Sequence, residues 1–239
     1  MGRLGLLVTR TLPGAEHTAN ALRALGHEVW VDPALTVRPT DEPLPEITAI
    51  KALVASSAHG VKALGHLAGA KDLPLYCLSG ASAEAARALG FAHSKAAGED
   101  ARALCDNICH TLSPQNGALL WARGAHTSFD VKAELCGRGY DLQTWQAYEA
   151  HASGALKKST LAAIRDGKIK AVMLHSARGA KVFVELAQGA NLSLSALGAI
   201  TLSQNVAQGI NDAGFAKIVC AKTPNERAIR EAVQNLSPH

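Results

Sequence analysis

The stretch "KALVASSAHG", Lys51 to Gly60, decides the fold, because "KAVMLHSARG", Lys170 to Gly179, repeats its pattern 119 positions later. In each copy an apolar run of strand length ends in a serine-containing turn that opens a helix, the junction expected of an α/β protein. Working outward, "LLVTRT" (Leu6 to Thr11) matches "LLWARG" (Leu119 to Gly124) at an offset of 113, so Arg10 and Arg123 stand at equivalent strand ends. That block runs on through "LRALGHEVWVDPAL" and "LCGRGYDLQTWQAY", in which Gly26 and Gly139 close a helix ahead of a second strand. A third block pairs "LSGASAEAARALGF" (Leu78 to Phe91) with "LSQNVAQGINDAGF" (Leu202 to Phe215) at an offset of 124.

Three blocks in one order make the chain an internal repeat. The first copy has strands centred on Leu6, Val29, Leu53, Cys77 and Ala92; the second has them on Leu120, Thr144, Met173, Leu202 and Ile218. Strands alternating with helical stretches predict parallel sheets covered on both faces, and so an α/β fold class. The last helix is signalled by "TPNE", with Thr223 as N-cap, Pro224 in the first turn and Glu226 at the capping-box position. Pro33, Pro39, Pro43 and Pro45 form a rigid, donor-poor stretch suited to an extended linker, and its counterpart "AHASGALKKS", Ala150 to Ser159, is small and polar. Two crossings between domains make one domain discontinuous: residues 1–36 plus 152–239 form the first, and 37–151 the second.

Composition excludes several classes. Of 239 residues, 48% are hydrophobic and 18% charged, and no apolar segment approaches the length of a membrane span. The N-terminus "MGRLGLLVTR" reads as a first strand with no cleavage site, which gives a cytoplasmic expectation. Cys77, Cys105, Cys109, Cys136 and Cys220 are odd in number and scattered, as expected of reduced, mostly buried thiols. The net charge of +4 lacks the Lys/Arg blocks of nucleic-acid binders and suits a small polyanion better than DNA. No phosphate-binding P-loop, dinucleotide fingerprint or nucleophile elbow occurs, and "CDNICH" has no second ligand pair at zinc-like spacing.

In open α/β sheets, ligands bind beyond the carboxyl ends of the strands, where helix N-termini present amide donors. Thr9, Arg10, Ser56, Ser57, Ser79, Ser82, Arg123, Ser176 and Ser203 fall at that edge and are the candidate binding residues. Taken singly, each serine also fits an ordinary helix N-cap and each arginine a surface ion pair. Tyr148 ends the strand "LQTWQAY" beside the second crossing. A phenol there suits a proton donor to a leaving oxygen, or an amphipathic aromatic at a domain interface.

Together, "VTR" at Val8 to Arg10, "SSAHG", "LSGASAEAARALG", the strand ending at Tyr148, "HSARG" and "LSQNVA" resemble the uroporphyrinogen-III synthase family over about 200 residues. The resemblance implies two flavodoxin-like domains joined by a two-stranded linker. It also implies dehydrative cyclisation of hydroxymethylbilane to uroporphyrinogen III, with inversion of ring D, in a cleft between two domains. No cofactor or metal is expected, nor any nucleic-acid or membrane partner. A monomer is expected, with transient contact at most with hydroxymethylbilane synthase. Tyr148 takes the place of the family's candidate acid. The alternative function is a non-catalytic sensor or carrier for a small polycarboxylate such as a tetrapyrrole. The chain departs from the family where Ser79 and Ser203 replace a usual glycine. It departs again at Val206, where a threonine is common and where Ser82 in the first copy keeps the hydroxyl.

Overall fold

A computed structural model describes residues 2–98, 100–127, 129–223 and 225–236. The strands are β1 (Gly5–Val8), β2 (Glu28–Val31), β3 (Leu35–Pro39), β4 (Ile50–Ala55), β5 (Leu75–Cys77), β6 (Ser94–Ala96), β7 (Ala118–Gly124), β8 (Leu142–Ala152), β9 (Ala171–Leu174), β10 (Gly198–Thr201) and β11 (Lys217–Cys220). The helices are α1 (Gly14–Ala24), α2 (Ala58–Leu64), α3 (Gly80–Ala88), α4 (Ala101–Thr111), α5 (Val131–Gly137), α6 (Lys158–Arg165), α7 (Ala177–Gly189), α8 (Gln204–Gln208) and α9 (Glu226–Glu231). They divide between two compact units, residues 1–36 with 151–239, and residues 37–150. Among the described residues no helix is long and apolar enough to cross a membrane.

The first unit holds a five-stranded parallel sheet in the order β2-β1-β9-β10-β11. The second holds six strands in the order β3-β8-β7-β4-β5-β6, and every neighbour pair from β8 to β6 is parallel. The Thr40 N–H donates to the Ala147 carbonyl at 3.3 Å and the Ser153 N–H to that of Ala34 at 2.9 Å. Partner numbers fall as the chain advances, so β3 lies antiparallel to β8. The chain passes between units inside β3 and inside β8, the two-stranded link.

With β3 set aside as an added edge strand, counting strands within each sequence copy gives both sheets the order 2-1-3-4-5 of doubly wound folds. Apart from β3, each sheet takes its first two strands from one copy and its last three from the other. The repeat therefore does not coincide with the units, and the unit containing both chain ends is discontinuous for that reason.

The central strands β4 and β7 are apolar apart from Lys51 and Arg123, because both faces are covered. In β4, Leu53 and Ala55 enter one core cluster while Ala52 and Val54 enter the other. In β7, Leu120 and Ala122 oppose Leu119 and Trp121 in the same way. Leu53 and Val54 are fully excluded from solvent, each burial stabilising by about 1.5–3 kcal/mol. Gly26 and Gly139 follow α1 and α5 with φ of +88° and +89°, the left-handed turn that ends a helix.

Several expectations shift. The strand expected at Ala92 begins at Ser94, because Phe91 folds back over α3 after Gly90, its N–H bonded to the Ala86 carbonyl at 3.1 Å. Leu202 lies one residue beyond β10. The proline-rich stretch contains β3, and Pro39 is tolerated there because β3 is an edge strand. The N-cap of α9 is Asn225 rather than Thr223; its Oδ1 accepts from the Ala228 N–H at 2.8 Å. Pro224 and the Glu226 side chain lie outside the described residues. Of the cysteines, Cys77 and Cys105 are buried, Cys109 and Cys220 are half-buried, and Cys136 is exposed at the end of α5.

Candidate functional site

The junction that repeats in sequence repeats in geometry. Ser57 and Ser176 are the N-caps of α2 and α7, with φ/ψ of −157°/161° and −150°/151°. Each Oγ accepts a backbone N–H three residues on, from Gly60 at 3.2 Å and from Gly179 at 3.1 Å. The cap therefore accounts for Ser176 within its unit. At Ser57 it accounts for only part of the hydroxyl's bonding.

In the second unit the order reverses between β7 and β4, the position where open α/β sheets take ligands. Ser56, Ser57, Arg123 and Gly124 stand at the carboxyl ends of these two strands. Tyr148 reaches the same place through an irregularity in β8. The β7–β8 register pairs Arg123 with Gln146 and then Gly124 with Tyr148, skipping Ala147. In a regular strand Tyr148 would point away from the face holding Trp145 and Ala147; the extra residue returns it to that face. Its Oη then lies 2.7 Å from Ser57 Oγ, and its ring centroid 5.4 Å from that of His59 on α2. A Cβ on Gly124 would stand 2.8 Å from Tyr148 Cε2, so the ring occupies space that only glycine leaves. Burial pushes the phenol pKa up, against smaller opposing effects of hydrogen bonds with the Ser57 hydroxyl and the Gly124 backbone.

The other candidates separate. Ser56 Oγ accepts from Trp121 Nε1 at 3.3 Å, on the sheet face opposite Tyr148. Arg123 donates to the Gly124 carbonyl at 3.1 Å and lines a distinct hollow with Trp121 and Lys132. Ser79 precedes α3 at φ 71° and ψ 155°, backbone that favours glycine, and its N–H donates to the Gly98 carbonyl at 2.8 Å. Ser82 is buried in the first turn of α3. In the first unit Thr9 is buried, donating to the Met173 carbonyl at 2.9 Å, which ties β1 to β9 rather than presenting the hydroxyl. Arg10 reaches Thr18 on α1 at 3.4 Å and lies over Gly14. Ser203 caps α8 without a side-chain hydrogen bond, and Val206 is buried.

Sequence reasoning brought out Ser57 and Tyr148 but missed Gly124 and His59, whose parts depend on the bulge. Among the described residues no group of three His, Cys, Asp or Glu side chains is placed to hold a metal ion. Burial pushes Cys105 of "CDNICH" up to about 11, where it stays a thiol.

Two doubly wound α/β units define a class of open parallel-sheet proteins, and in the second of them Ser57 and Tyr148 meet where the strand order reverses. The family model described as uroporphyrinogen-III synthase HemD matches residues 16–231, and the chain belongs to that family of cyclising lyases, whose substrate is a tetrapyrrole. A crystal structure of uroporphyrinogen-III synthetase from Helicobacter pylori covers 99% of this chain and 100% of its own, with TM-score 0.65 and 19% identity, a likeness of fold. A mutant uroporphyrinogen III synthase from Thermus thermophilus covers 98% of each chain with TM-score 0.48 and 15% identity. No curated protein matches significantly.

Proposed function

We propose that the chain converts hydroxymethylbilane to uroporphyrinogen III with Tyr148 as the acid, and the Tyr148–Ser57 hydrogen bond of 2.7 Å carries this reading. A phenol kept protonated by burial donates its proton to the terminal hydroxymethyl oxygen. The C–O bond breaks, its electron pair leaves with water, and the pyrrole nitrogen lone pair fills in to give an azafulvene. Attack by ring D, inversion through a spiro intermediate and loss of a ring proton to the phenolate complete the cycle. Net change is loss of one water. Ser57, fixed by the Gly60 N–H, orients the phenol, while the amide groups opening α3 and α7 offer donors for carboxylates. The remaining candidates act by position, with Arg10 and Arg123 adding charge.

The two units serve as two domains in this reading. Because the free bilane closes on its own to the type I isomer, we place the chain in the cytoplasm beside hydroxymethylbilane synthase. There it works as a monomer that meets that enzyme at most transiently. The test is the isomer made when bilane is generated in the presence of the protein. A dominant type III product is expected. Type I alone, from folded protein, removes the synthase reading and leaves a tetrapyrrole-binding module.

A further inference from the structure

Beside Tyr148 the second unit contains a cavity of about 240 Å³, bounded by β3, α2 and β8. Its lining brings together Arg38, His59, Lys62, His66, Trp145 and Tyr148. The helix periodicity explains half of this: positions 59, 62 and 66 are three and four apart and share one face of α2 and its continuation. The other half is long-range, because β3 joins the sheet edge next to β8 and so carries Arg38 toward α2. Neither Arg38 nor Lys62 forms an ion pair among the described residues. Glu42, the one acid in the lining, accepts the Gln146 N–H at 2.9 Å. The equivalent lysine in the second sequence copy, Lys181, has Glu185 four residues on at 4.0 Å, where Lys62 has His66.

Trp145 supplies an independent observation. Its ring walls the cavity and is 6% exposed, yet its indole N–H meets no acceptor in the protein. A buried donor without an acceptor is costly, and a shift of the ring that opens Nε1 to an acceptor in the cavity relieves that cost. Two cations, an orphaned donor and apolar walls describe a carboxylate on a short hydrocarbon arm. The volume is below the 300–1,000 Å³ or so of whole-ligand pockets, which suits one arm and not a macrocycle.

We propose that this cavity seats one carboxylate side arm of the substrate, held by Arg38 and Lys62 over Trp145, and so anchors the pyrrole nearest Tyr148. The inference rests on the synthase reading. Its test reads the cavity separately from turnover. In ¹⁵N-labelled protein the three tryptophan indole signals are assigned with Trp145→Phe, and sodium propionate is titrated against uncharged methyl propionate. The Trp145 signal shifts with propionate only, and the response disappears in Arg38→Gln/Lys62→Gln while the rest of the spectrum is kept. With bilane, each single substitution raises KM by roughly two- to fivefold and leaves type III as the product. A Trp145 signal that ignores propionate, or follows the ester equally, overturns the site even if type III product forms. A propionate-selective shift with only type I product overturns the substrate assignment through failure of the synthase reading.

Discussion

At the scale of the residue, the phenol proposed as the acid is shaped by its surroundings. Tyrosine ordinarily titrates near pH 10, and burial raises Tyr148 above that. The sign follows: a raised folded value favours the protonated form, so its contribution to stability is present below about pH 10 and is lost as pH climbs through the folded value. The same protonated form is the acid of the proposed mechanism. The rate profile is therefore expected to show no alkaline fall from this group up to about pH 9.5, and a limb centred below pH 9 in protein that remains folded removes the buried phenol from the mechanism. Tyr148→Phe keeps the ring and loses the proton. It lowers kcat by about 100- to 10,000-fold with the thermal midpoint nearly unchanged, read by single-turnover kinetics alongside calorimetry. Tyr148 was legible as a residue type, but it does not end its strand, since β8 runs on to Ala152, and its aim was not legible. Which face it takes depends on the skipped Ala147, and a bulge is set by pairing with β7 and not by local pattern.

At the scale of the element, the two repeated junctions look alike in sequence and differ in what surrounds them. Adding a Cβ to Gly60 places it 2.7 Å from the Ala122 carbonyl oxygen, which belongs to the sheet and cannot retreat. Adding one to Gly179 meets first Ser176 Oγ at 3.0 Å, the end of a side chain able to rotate. Gly60→Ala thus pushes α2 off β7, disturbing Ser57 and Tyr148 together. It costs about 1–3 kcal/mol, against less than about 1 kcal/mol for Gly179→Ala, in denaturant melts of the two variants. Equal losses would show that the close approach of α2 to β7 is not what glycine serves. The strands themselves were readable because central parallel strands are apolar on both faces, as β4 and β7 are. Ala92 misled because an apolar residue after a helix-ending glycine packs back on its helix as readily as it starts a strand. Lys62 was visible only as the repeat partner of Lys181, and Arg38 not at all, since the two come to line one cavity only after a proline-rich segment pairs with a strand a hundred residues away.

At the scale of the whole molecule, exchange of halves between the copies makes one unit continuous in sequence and the other not. We propose that residues 37–150 form an independent domain, for three reasons. Both cuts fall in the neighbouring strands β3 and β8, so the new ends lie side by side at one sheet edge. Both faces of its sheet have their own core clusters, with Trp121 and Tyr76 almost wholly buried. Its length is within the usual range of single domains. The isolated fragment should unfold cooperatively by circular dichroism and calorimetry. Because β4, α2, β7 and β8 all travel with it, the Ser57–Tyr148 bond and the buried phenol should travel too. Spectrophotometric titration at the phenolate band tests both at once: the fragment should show a tyrosine ionising above pH 10 that Tyr148→Phe removes. A folded fragment without that late ionisation would make the phenol's environment depend on residues 1–36 or 151–239, and the acid would then belong to the assembled chain rather than to one domain. A fragment that does not fold would show that the divided unit supplies stability to the continuous one, through the ends of β3 and β8 that the cuts remove.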